Sequence, residues 1–265
     1  MGKEVTTKNE NLPASMATDM VADAKAGGGA EGIGTDDIAI PFIAILQALS
    51  PQIDGETKVE GAGIGMLFNS ATEQCYDVEK EEYRIIHCGF EKVINEWVIR
   101  EKGGGFVAKH AFQEALLEKC PRNEKNQNID PESGHQMVTT ANHFCVLIKP
   151  SGAQELVVIS FSSTQLKKSR KWIAAMKALE ITVNGEKINP PLYSHTYKVS
   201  SVPEHNEKGK WRGWTITNPQ MVDEKLYAKA KAWSKDVASG KVESAKPVDE
   251  TVMDDSPTKK ESEVL

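Results

Sequence analysis

The sequence predicts a β-rich α+β fold, an OB-like antiparallel barrel elaborated with several helices and flanked by disordered acidic N- and C-terminal tails. Three observations predict it. Short β-rich runs outnumber helical ones, and they do not alternate regularly with helices, which argues against a doubly wound parallel sheet. Turn signals such as Pro150-Ser151-Gly152 and Asn184-Gly185 join neighbouring runs as hairpins. The third observation is that both ends of the chain are polar and aromatic-free. A five-stranded barrel with additions is the specific expectation.

Charge supports that division. The chain has 265 residues and a formal net charge of −6. Residues 1–36 hold three lysines against six acids, and residues 241–265 hold four against seven. The remainder balances, with 25 basic and 25 acidic residues. The acidity therefore belongs to a flexible arm (1–36) and a disordered tail (241–265), around one body spanning 37–240. A neutral body lets any local basic cluster dominate the field near it. A short helix over Ala14–Lys25 fits within the arm.

Along the body, the apolar run "DIAIPFIAILQALSPQI" suits either a buried strand at Phe42–Gln47 or a short helix, since periodicity alone does not separate them. "GIGMLFNSATEQCYD" reads as a glycine-bounded strand. Tyr83–Phe90 and Val93–Arg100 are two β-rich runs before a turn at Gly103–Gly105. "HAFQEALLEKC" is a short helix, and "KCPRNEKNQNIDPESG" a long polar loop. "HQMVTTANHFCVLIKP" and "QELVVISFS" form the clearest hairpin. "LKKSRKWIAAMKAL" is a helix, and "EITVNGEKIN" is a hairpin with the Asn-Gly pair that a type I′ turn favours. "YSHTYKVSSV" and "KWRGWTITN" are further strands. Val222, Leu226, Trp233 and Val237 give the last helix an apolar stripe.

Several function classes lack their residues. No apolar stretch approaches the ~20 residues of a membrane span, and the N-terminus has no signal-peptide core, so the expected compartment is the cytoplasm. "MGKEVT" matches the opening of a myristoylation site only over a short, often fortuitous stretch. Cys75, Cys88, Cys120 and Cys145 include no paired zinc ligands and read as reduced core thiols. "GGGAEG", Gly27 to Gly32, has the glycine spacing of a dinucleotide loop without the preceding strand. Asp54, Glu56 and Lys58 are the one stretch resembling a metal-dependent nuclease set, and an exposed loop is the simpler reading. His87, His110, His135, His143, His195 and His205 have no nucleophile at a recognisable spacing. The expectation is a protein with no catalytic residues, no metal and no cofactor.

What stands out is "STQLKKSRKW", with Lys167, Lys168, Arg170 and Lys171 inside five positions. Ser162 to Leu179 carries five cations and no acid. On a helix, Leu166, Trp172, Ile173, Met176 and Leu179 share one face and the four cations the other. A solvated helix exterior and a docking surface for phosphates both fit that pattern. Other segments favour docking: Arg122 and Lys125 on the polar loop; Trp97, Arg100 and Lys102 before the glycine turn; Trp211 and Arg212 in "KGKWRGWTI". In that last strand Trp211 alternates with Gly213 and Thr215, whereas Trp214 sides with Ile216. Exposed rings beside cations are what single-stranded nucleic acid needs, since bases stack for ~1–3 kcal/mol each while Lys and Arg follow phosphates. Trp97, Trp211 and Tyr76 are the expected stacking platforms. The acidic tails would compete with the strand or recruit proteins, making binding salt-sensitive.

"IPFIAILQALSPQ", "CPRNEKNQNI", "STQLKKSRKW" and "YSHTYKV…KGKWRGWTI" resemble segments of the single-stranded DNA-binding proteins of podovirus-type tailed bacteriophages. The resemblance covers roughly Ile38 to Trp233. It implies an OB-like fold without catalysis, working in phage DNA replication and recombination in the host cytoplasm. Partners would be single-stranded DNA, with phage DNA polymerase, recombination proteins or host RNA polymerase beside it. The rival expectation is a phage accessory or transcription-regulating protein that binds host RNA polymerase or a replication protein. The C-terminus "ESEVL" lacks the acidic run capped by an aromatic that bacterial single-strand binders use for recruitment.

Overall fold

The structure, a computed structural model, describes residues 13–26, 28–29, 40–54, 57–207, 209–242 and 244–245. Most of the expected arm and tail, and Glu56, lie outside the described residues. The strands are β1 (Phe42–Ile45), β2 (Leu67–Asn69), β3 (Cys75–Tyr76), β4 (Tyr83–Trp97), β5 (Phe106–Ala111), β6 (Gln136–Ile148), β7 (Gln154–Ser162), β8 (Ile181–Val183), β9 (Glu186–Ile188), β10 (His195–Asn206) and β11 (Gly209–Met221). The helices are α1 (Ala14–Ala26), α2 (Pro51–Asp54), α3 (Glu114–Glu118), α4 (Leu166–Lys177) and α5 (Glu224–Ala238).

Nine strands make one sheet, in the order β11-β10-β4-β6-β7-β1-β2-β3, with β5 added beside β4. Every pairing in it is antiparallel except that of β1 with β7. The sheet is strongly curled into a half-barrel. Ile43, Leu67 and Tyr76 from one end of the strand order share a single core with Tyr197, Val199 and Trp214 from the other.

Side chains hold the two ends together. The Gln47 amide donates to the Arg212 carbonyl at 3.1 Å and accepts from the Arg212 N–H at 2.8 Å, imitating a strand neighbour. The Ser201 hydroxyl donates to the Gly65 carbonyl at 2.6 Å.

Hairpins follow local chemistry. Asn184 and Gly185 both adopt positive φ (51° and 84°), as a type I′ turn requires. Lys149 and Ala153 close the turn between β6 and β7, the Lys149 N–H donating to Ala153 at 2.9 Å. The run from Tyr83 to Trp97 is one strand rather than two, because Glu91 and Lys92 continue the pairing with β6 opposite Asn142 and Ala141, while the register shift between His87 and Gly89 is taken up as a bulge at Cys88. Gly89 is required there, since a Cβ would lie 2.4 Å from Val237 Cγ1 on α5.

Two helices cover opposite sides of the sheet. α4 buries Ser169, Trp172 and Met176 against the concave core. α5 lays Leu226, Ala230, Trp233 and Val237 on the convex face, over Ile86, Cys88, Phe144 and Val146. Asp223 caps α5 by accepting the Leu226 N–H at 2.7 Å. The body continues past Gly240: Val242 is buried, and Ile40 bridges to Ser244. No described helix is long and apolar enough to cross a membrane.

Candidate nucleic-acid interface

The polar loop after α3 folds on its own side chains. The Asn123 carboxamide oxygen accepts the N–H groups of Lys125 (3.0 Å) and Gln127 (2.9 Å), which fixes a tight turn. Arg122 donates to Asn126 at 3.0 Å. Beneath the loop, Glu96 accepts from His110 (2.8 Å) and His135 (2.6 Å), tying its base to β4 and β5. Burial pushes the Glu96 carboxyl up, and the two imidazoles outweigh that and hold it below its ordinary value. Lys125 pairs with Glu101, joining the loop to the turn that carries Arg100 and Lys102.

This loop faces the start of α4. Between them lies a groove of about 360 Å³ whose lining includes Arg122, Lys125, Asn128, Gln136, Ser163 and Thr164. No acid lines it. Lys167 follows directly on Leu166, another lining residue.

The cation cluster on α4 divides into two kinds. Lys167, Arg170 and Lys171 are exposed, and among the described residues they pair with no acid. Lys168 is structural. It reaches Glu204 at 2.5 Å and donates to the Trp214 carbonyl at 2.7 Å. Glu204 also accepts from Gln165 (2.9 Å) and from the Trp211 indole N–H (2.8 Å). Burial pushes the Glu204 carboxyl up, but Lys168, Gln165 and Trp211 together hold it below its usual value. Gly213 makes the approach feasible, because a Cβ there would lie 2.3 Å from Glu204 and 2.6 Å from Lys168.

The aromatic expectations fare unequally. Trp211 is half-buried beside α4, on the face predicted by strand alternation. Tyr76 is 5% exposed and Trp97 3% exposed, so neither ring offers a face to a base in this conformation. Tyr76 packs in the barrel core and donates its hydroxyl to Glu155 at 2.8 Å; Trp97 packs edge-on against Phe106. Arg212 lies apart from the groove, bonded to Glu79 at 2.6 Å along the seam of the half-barrel.

The structure thus brings Arg122 and Lys125 to the groove beside Lys167, sets Arg100 and Lys102 on the turn that Glu101 ties to Lys125, holds Trp211 against Glu204, and engages Lys168 and Arg212 in ion pairs within the fold. Sequence reading misses Glu204, Gln165, Ser163 and Thr164. The closely spaced Asn and Gln residues in "NEKNQN" were the available signal for the groove wall, and the glycine within "WRGW" for the Glu204 contact.

Among the described residues, no group of three or more His, Cys, Asp or Glu side chains is placed to hold a metal ion. Asp54 and Lys58 are exposed. No curated protein and no solved structure matches the chain. Residues 7–243 match the Pam3 phage gp34-like proteins, a span that takes in the half-barrel, both helices that cover it and the groove; the chain belongs to that bacteriophage family.

Proposed function

We propose that this phage protein binds single-stranded DNA without regard to sequence, protecting and organising it during replication and recombination, without catalysis. One observation carries the proposal: a groove bounded by Arg122 and the Glu101-paired Lys125, with no acid among its described lining residues, opens beside a helix whose Lys167, Arg170 and Lys171 are unpaired among the described residues. Phosphates are the ligand that such a surface attracts, and Trp211 supplies one ring for stacking. In this reading the half-barrel acts as an OB-like platform, with the strand crossing the end that α4 occupies. The host cytoplasm is the compartment, and phage polymerase, recombination proteins or host RNA polymerase are the protein partners.

The test is a titration of intrinsic tryptophan fluorescence with oligo-dT across a range of salt. Quenching should weaken steeply as salt rises. A triple Lys167→Gln/Arg170→Gln/Lys171→Gln variant should lose about 100-fold in affinity at 0.1 M salt, since each single-strand phosphate contact contributes about 0.7 to the salt slope. No quenching at low salt would overturn the reading and favour a partner-protein role for the same cations.

A further inference from the structure

Two apolar surfaces are left uncovered by the described residues. One is a pocket of about 610 Å³ between β4 and the C-terminal end of α5. Cys88, Phe90, Phe144, Leu192, Val237 and Val242 contribute to its walls. Phe90 is 45% exposed. The other surface is on α1, where Met16, Met20 and Val21 are 51%, 51% and 56% exposed. Positions i, i+4 and i+5 fall on one side of a helix. With 13 residues, α1 has a length at which an isolated helix is marginal in water and depends on packing its apolar face.

The tether brings these surfaces together. Ile40, where the body begins, pairs with Ser244, and its carbonyl accepts the Ala245 N–H at 2.9 Å. Ser244 and Val242 both line the pocket, and Ile40 shares a hydrophobic cluster with Val242 and Phe144. The chain leading back to α1 therefore starts at the pocket's own wall. Fourteen residue steps separate Ala26 from Ile40, a reach of at most about 50 Å. That span along the chain keeps α1 and the pocket in one molecule's reach of each other. The one lysine among the pocket's described lining residues, Lys109, is paired at 3.3 Å with Glu91, which also lines it, so apolar contact rather than charge is what the pocket offers a partner.

We propose that α1 docks its Met16–Met20–Val21 face into this pocket of its own chain, as a built-in removable cover. The docking lies on the α5 side of the sheet, away from the α4 groove, and does not depend on the DNA-binding reading.

The test places a benzophenone photo-cross-linker at Met20 in the full chain. The expected product has monomer mass and joins α1 to the peptide containing Val237–Val242. Adding Met16→Asp and Val21→Asp should reduce that product at least tenfold. Both changes lie on exposed positions of α1, so an unchanged unfolding midpoint confirms that the body is intact. Hydrogen exchange over residues 14–26 gives a second readout, with protection in the parent chain that the double variant loses. A dimer-mass product would overturn docking within one chain. So would the absence of any product with the body, or unprotected amides in the parent. DNA affinity enters neither readout.

Discussion

The two helices that cover the sheet, α4 and α5, follow the same amphipathic rule with opposite consequences. α5 carries four lysines but interleaves them with Glu224 and Asp236, and it packs on the convex face through side chains such as Ala230, Trp233 and Val237. α4 carries five cations and no acid, and it enters the concave core. There its contacts are partly polar: Ser169 meets the His143 imidazole at 2.8 Å, and Lys168 and Gln165 hold Glu204. A helix held by hydrogen bonds at fixed points has one seating on the sheet, so its outward charges are presented in one place. α5 has a polar tie as well, Lys229 donating to Gln154 at 2.8 Å on an exposed edge, but its contact with the sheet is mainly apolar. In the proposed function, the fixed seating of α4 is what suits its outward cations to recognition.

The comparison can be broken by removing each helix's main anchor. Trp172 stacks on His143 at 4.8 Å and meets His87 and Tyr197 edge-on. Trp172→Ala should cost about 3–5 kcal/mol in urea unfolding. Trp233→Ala, at a half-buried position, should cost closer to 1.5–3 kcal/mol. Equal losses would mean that α4 is no more firmly seated than α5.

Acid sharpens the contrast further, because imidazoles lie under α4, whereas Ile86, Cys88 and Val146 lie under α5. Burial lowers His87 from 6.5 to about 4 and pushes His143 well below its ordinary value, with the neighbouring His87 adding to the effect. The unfolded chain then takes up protons that the folded one refuses. Stability is complete above pH 6.5 and falls as pH drops towards 4, His87 alone accounting for about 3 kcal/mol across that window. A His87→Phe variant should flatten that share of the acid limb in denaturation midpoints measured from pH 7 to 4. An unchanged slope would remove His87 from the account.

The smallest expected effect concerns the lock itself. Gly213→Ala places a methyl group against Glu204 and Lys168, which should cost about 1–3 kcal/mol and loosen α4 with little change at α5. Hydrogen exchange resolved by helix would show it. Faster exchange in both helices alike would mean that Gly213 supports the whole sheet rather than the α4 lock.

Features legible in the sequence were those fixed by neighbours in the chain. Asn184-Gly185 specified its hairpin, and the stripe Leu226–Trp233–Val237 specified α5 and its buried face. Alternation in "KWRGWTI" correctly sent Trp214 inward and left Trp211 partly outside. Long-range pairing decided the remainder. The polar stretch through Glu91 and Lys92 hid the continuity of β4, which depends on β6 running alongside it. β5 alternates only between half-buried and exposed positions, so no apolar signal marked it. Tyr76 and Trp97 lie on strands whose buried side is set by register with partners elsewhere in the chain. The groove itself joins a loop near Arg122 to the turn at Ser163, and no local pattern connects them.

The seam at Gln47 bears on the girth of the molecule. A barrel closed by a continuous ladder has its strand number, stagger and diameter tied together. Here one carboxamide stands in for that ladder at Arg212, and a hydroxyl from Ser201 supports it. The circumference is consequently set by side-chain contacts, the Arg212–Glu79 pair among them, rather than by a repeating backbone register. A vessel closed in this way can be widened or narrowed by side-chain substitution, with no strand added and no register shifted.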